Sequence, residues 1–70
     1  MRGSEFLRKL QALARRSGTP LHFVPAKGKG SHGTVYFGGA FTVLKDRKKE
    51  LGPGLLRAMC RDLAIDPEDL

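Results

Sequence analysis

Apolar residues recur at steps of three and four near the start of the chain: Phe6, Leu7, Leu10, Leu13 and Ala14. That spacing predicts one amphipathic helix. Ser4 is its expected N-cap, and Glu5 falls in the first turn. Arg8, Lys9, Arg15 and Arg16 lie off the stripe or close the last turn, where positive charge suits the helix dipole. Gly18 stops the helix and Pro20 prevents its resumption. Leu21 to Val24 then reads as a short strand that Pro25 confines to an edge or ends. Two further β-rich runs, Thr34–Phe37 and Phe41–Leu44, flank Gly38-Gly39 and predict a hairpin.

The hairpin register is where two signals conflict. A two-residue Gly-Gly loop sets Tyr36 opposite Phe41 and Val35 opposite Thr42. The hydrophobic pattern instead favours Val35, Phe37, Phe41 and Val43 on one face, which needs a three-residue loop. A one-residue slip turns every side chain over, so the pattern is the expected arbiter. On that reading Thr34, Tyr36 and Thr42 share the polar face, and His32 projects onto it as well.

Lys45 to Glu50 is a charged connector. Gly52-Pro53 opens a second helix, with Pro at its first position. Leu56, Met59, Cys60 and Leu63 form its apolar stripe, with Leu55 at the flank. Asp66-Pro67-Glu68-Asp69 reads as a turn or a new helical start. The order is α-β-β-β-α. The expected architecture is a two-layer α+β domain over residues 1–70: a three-stranded antiparallel sheet with both helices on one face and the other face open.

Size and charge narrow the function. A chain of 70 residues has room for one domain. Such a domain buries roughly 60% of its unfolded surface, so a large substrate cavity is not expected and Rossmann or kinase folds do not fit. The 13 Lys and Arg against 7 Asp and Glu give +6. Asp66, Glu68 and Asp69 hold three of those acids, so residues 1–65 carry 13 cations against 4 anions, or +9. That density favours a polyanionic partner; the acidic tail reads as charge balance. The single cysteine, Cys60, excludes an intrachain disulfide, and with two separated His residues it makes no zinc site. Neither an 18-residue apolar run nor a secretory core is present, so the expected setting is the reducing cytoplasm, with no membrane.

Gly28-Lys29-Gly30-Ser31-His32-Gly33 satisfies G-x-G-x-x-G. A strand follows it, whereas the dinucleotide motif must open a helix. The kinase version lacks its H-R-D and D-F-G partners. No nucleotide or other small-molecule cofactor is therefore expected. What the loop offers is an anion cradle: glycines that let backbone N–H groups turn to a phosphate, the Ser31 hydroxyl, and the charges of Lys27 and Lys29. Lys45, Arg47, Lys48 and Lys49 form a basic cluster that reads most simply as a solvated connector, with extension of that surface as the second reading. His32 sits in the cradle; imidazole is matched to proton transfer near neutral pH, and composition alone favours a phosphate-contacting residue over a catalyst. RNA cleavage needs no metal in principle. A base takes the 2′-OH proton, the oxygen attacks phosphorus, and cations stabilise the phosphorane. For the leaving 5′-oxygen the proton donor is open among Lys29, Tyr36 and water. His22 reads as a packed or edge histidine, Met59 as core, and Cys60 as a buried inert thiol.

Three stretches together resemble the HicA toxins, small messenger-RNA interferases of type II toxin–antitoxin pairs. Glu5-Phe6-Leu7-Arg8-Lys9-Leu10 resembles the family's first helix. Gly28-Lys29-Gly30-Ser31-His32 is similar to its Gly-(Lys/Arg)-Gly-Ser-His signature. Glu50-Leu51-Gly52-Pro53-Gly54-Leu55-Leu56-Arg57 is similar to its Glu-Leu-x-x-Gly-x-Leu helix start. The resemblance implies a double-stranded-RNA-binding-domain-like fold and metal-independent endoribonuclease activity. It implies His32 as the catalytic residue and a HicB-like antitoxin partner covering it. Many members carry another histidine after the third strand; here that region reads Lys45-Asp46-Arg47-Lys48-Lys49, so its role does not transfer. The expected phosphate-binding set is Lys27, Gly28, Lys29, Gly30, Ser31, Lys45, Lys48 and Lys49. Two other readings remain: a non-catalytic RNA-binding module of the same fold, and a protein-interaction domain for an acidic partner.

Overall fold

The computed structural model describes residues 1–28, 30 and 32–70. The elements run α1 (Gly3–Ser17), β1 (Leu21–Pro25), β2 (Gly33–Phe37), β3 (Ala40–Leu44) and α2 (Pro53–Asp62), followed by a 3₁₀ turn at Pro67–Asp69. The molecule is thus of the α+β class: two helices and one open antiparallel sheet in the order β1-β2-β3.

The first helix starts earlier than its sequence signal. Arg2 is the N-cap and no side chain caps the helix, so Ser4 lies inside it. The N–H groups left over at a helix start need partners. Here the connector after β3 supplies them: Gly3 N–H donates to the Lys49 carbonyl at 3.2 Å and Ser4 N–H to that of Arg47 at 2.9 Å. A Cβ on Gly3 would sit 2.7 Å from the Asp46 carbonyl oxygen, so only glycine lets the helix approach the connector this closely. The Arg2 and Glu50 backbones also pair in an isolated antiparallel β-bridge, Leu51 N–H donates to the Met1 carbonyl, and the Met1 amino group pairs with the Glu50 carboxylate. At the other end Gly18 takes φ 67°, ending the helix as expected.

The sheet corrects the expected register. Tyr36 pairs with Phe41, Val35 with Thr42 and Phe37 with Ala40, across a two-residue Gly38-Gly39 loop. Gly38 adopts φ 61°, the left-handed geometry that tight hairpins demand. Its N–H donates to the Pro20 carbonyl, which fastens the loop to the start of β1. Loop geometry therefore outweighs side-chain hydrophobicity. The burial follows: Val35, Phe37, Thr42 and Leu44 point inward, while Phe41 and Val43 remain 58% and 52% exposed. Thr42, expected on the polar face, is 3% exposed, and its hydroxyl donates to Asp62 Oδ2 at 2.9 Å. That bond makes burying a hydroxyl tolerable.

One core joins the inner sheet face to both helices. It contains Phe6, Leu10 and Ala14 of α1, Val35, Phe37 and Leu44 of the sheet, Leu51, and Met59, Cys60 and Leu63 at α2. The stripes expected for the two helices are the ones buried. Past α2, Ala64 turns at φ 58°, with Ala64 N–H to the Arg61 carbonyl and Ile65 N–H to that of Cys60. That is the bonding of a Schellman motif, with alanine where glycine is usual. The acidic tail does more than balance charge. Asp66 accepts from Glu68 N–H, Arg16 Nη2 donates to the Asp69 carbonyl, and Leu70 packs on the core. Among the described residues no helix is long and apolar enough to cross a membrane.

Candidate functional site

The two ends of the Gly-rich segment are tied together. Ala26 N–H donates to the His32 carbonyl at 2.9 Å, one position beyond the Pro25–Gly33 pair. Gly28 and Gly30 both take left-handed geometry, φ 68° and 60°. A Cβ at either would meet nothing within 4 Å, so they are needed for conformation and leave the backbone open to approach. Lys27 is exposed beside them. Lys29 and Ser31, two of the expected phosphate ligands, lie outside the described residues.

His32 immediately precedes β2 and is exposed. Side chains alternate along a strand. Continuing that alternation from Tyr36 through Thr34 sets His32 on the outer face, as expected, although Thr42 is not there with it. The same ladder brings Lys45 opposite His32 across from β2. His32, Lys45 and Lys49 line a cavity of about 400 Å³, walled by Val43, Leu55 and Met59. Two carboxylates reach its rim. Asp46 accepts from Lys48 N–H at 2.8 Å, and Glu50 is held by the N-terminal amino group.

The basic connector therefore divides. Lys45 and Lys49 join His32. Lys48 lines a different hollow with Arg2, Ser4 and Arg47. Arg47 lies over the Phe23 ring, 5.1 Å from its centroid, a cation–π contact. The Phe23 ring also lies close against Gly33, where a Cβ would fall 2.7 Å from ring atom Cε1. Of the expected set Lys45, Lys48 and Lys49, the hollow with His32 is thus lined by Lys45 and Lys49 but not by Lys48. Of the open proton donors, Tyr36 does not line the His32 cavity and Lys29 lies outside the described residues; Lys45 and Lys49, not expected in that role, do line it.

His22 is exposed on edge strand β1, opposite Tyr36. Cys60 is wholly buried; burial first, and the Asp66 carboxylate second, push its thiol pKa up. A neutral, inaccessible thiol is no nucleophile. What the sequence reading missed is the outer sheet face, with Phe41 and Val43 beside Tyr36. The two-residue glycine loop was the signal that could have found it. No protein-family model, curated protein or solved structure matches this chain.

Proposed function

We propose that this protein is an endoribonuclease of the HicA toxin kind, acting on messenger RNA through His32. The observation that carries the reading is an exposed imidazole sharing one cavity with two lysines, at the end of an open sheet face. The three motif resemblances support it, as does the +9 charge of residues 1–65, 13 cations against 4 anions. A double-stranded-RNA-binding-domain-like arrangement of the α-β-β-β-α order belongs to the same proposal.

In this reading the left-handed turn at Gly28 and Gly30 seats a backbone phosphate, with Lys27 beside it. The neutral imidazole of His32 removes the 2′-OH proton, and the oxygen attacks the adjacent phosphorus. Lys45 and Lys49 stabilise the added charge of the phosphorane. The 5′-oxygen leaves with a proton from Lys45, Lys49 or water. The products are a 2′,3′-cyclic phosphate and a 5′-hydroxyl, and no step requires a metal. A basic, open site of this kind suits an acidic HicB-like antitoxin as its inhibitor.

Expression in a bacterial host separates this from a non-catalytic RNA-binding module. Cleavage predicts growth arrest and shortened messenger RNA, both lost in His32→Ala. Unchanged RNA lengths on expression of the wild-type chain would overturn the proposal.

A further inference from the structure

The outer face of the sheet is apolar and aromatic where a solvated face would be polar. Its first row is His22, Tyr36 and Phe41; its second is Val24, Thr34 and Val43. Val24 and Val43 are each 52% exposed, Tyr36 42% and Phe41 58%. The Tyr36 and Phe41 rings are cross-strand neighbours, 6.1 Å between centroids and tilted by 39°. The third position on the same face is His32, with Lys45 across from it. No carboxylate stands in these rows.

We infer that Tyr36 and Phe41 form a stacking platform for unpaired RNA bases, so that the substrate is single-stranded beside the cut. The inference rests on the RNA reading above and names the substrate class of that site. Every base has a π-face, and exposed aromatic rings on a sheet take it up without needing a particular sequence. In an A-form duplex the bases are already stacked on each other, and only phosphates and 2′-hydroxyls are offered outward. The platform would then have nothing to bind.

Spacing and charge favour this occupant. Four residue steps along the strand direction separate Tyr36 from His32, about 13 Å, a distance that an extended strand of a few nucleotides spans. A backbone running from the rings toward His32 goes from an uncharged surface to Lys45 and Lys49, where its phosphates are wanted. A second copy of this chain would instead set two basic bodies together, each +9 over residues 1–65 from 13 cations and 4 anions. Asp62, whose residue lines a hollow with Phe41, already accepts from Thr42.

The chain supplies its own probe. Tyr36 is its one tyrosine and there is no tryptophan, so tyrosine emission reports this ring alone. The His32→Ala variant is titrated with oligouridylate, with the same strand annealed to oligoadenylate, and with inorganic polyphosphate. The single strand is expected to quench the emission; the duplex and polyphosphate are expected to leave it unchanged. With labelled oligouridylate, Phe41→Leu should weaken binding about tenfold, as loss of one stacked base does, and Phe41→Tyr should retain it. Equal quenching by polyphosphate, or equal binding by Phe41→Leu, would overturn the platform; the face would then be read as a protein-docking surface. If wild-type protein still cuts RNA in that case, the nuclease reading stands without it. If the rings quench but wild-type protein never cuts, the platform stands and the nuclease reading falls.

Discussion

Replacing Asp62 with alanine strands a buried hydroxyl. Thr42 is 3% exposed and has its hydroxyl 2.9 Å from Asp62 Oδ2. A buried polar group left without its partner costs about 1–3 kcal/mol. We take ~2 kcal/mol for Asp62→Ala, the middle of that range. Thr42→Val is the gentler change. It keeps the branched shape and frees the carboxylate of exposed Asp62 to water, so only the net value of one hydrogen bond is lost, about 1 kcal/mol. In a domain of this size 1 kcal/mol moves the melting midpoint by roughly 4–8 °C. Thermal melts of the two single variants and the double variant form a double-mutant cycle. Asp62→Ala should fall roughly twice as far as Thr42→Val, and should cost under about 0.5 kcal/mol once Thr42 is already valine. The register is at stake. In the register shifted by one residue, Thr42 faces water and Phe41 and Val43 enter the core. A negligible effect of Asp62→Ala, together with a loss above about 1 kcal/mol for Val43→Thr, a burial-sized penalty, would refute the observed pairing.

Two further outcomes follow from close packing and burial. Gly33→Ala should cost about 1–3 kcal/mol by overpacking, because its Cβ would clash with the Phe23 ring and lie 2.8 Å from the Val24 carbonyl oxygen; an unchanged denaturation midpoint would contradict this. The raised pKa of Cys60 sets an alkaline limit. Its stabilising contribution is intact below the unfolded thiol value of about 8.5 and is lost as pH rises through the higher folded value. The stability gap between wild type and Cys60→Ala should therefore narrow between neutral and alkaline denaturation curves. A gap independent of pH would be the contrary result.

Both helix stripes were legible because a helix beside a core buries a fixed 3.6-residue face, whatever it packs against. The sheet was harder. Phe41 and Val43 have the composition of core residues, yet the sheet has one covered face, and a two-residue glycine loop determines which side chains reach it. The start of α1 was misplaced because its partners, the carbonyls of Arg47 and Lys49, are remote in sequence. For the same reason the basic connector read as one cluster. Nothing local to Arg47 reveals that it lies over Phe23, on a ring that lies close against Gly33. His32, by contrast, could be named early, because a histidine at the end of a glycine turn is exposed in almost any packing.

Proton transfer by His32 is read out by RNA cleavage in the presence of EDTA. End-labelled single-stranded RNA is incubated with wild-type protein and with His32→Ala, and the fragment ends are identified. The wild type is expected to cut with 5′-hydroxyl products. The expected rate for His32→Ala is at least about 100-fold lower, the usual scale of a general acid–base contribution, with an unchanged melting midpoint. Cleavage by His32→Ala at the wild-type rate would contradict proton transfer by this residue.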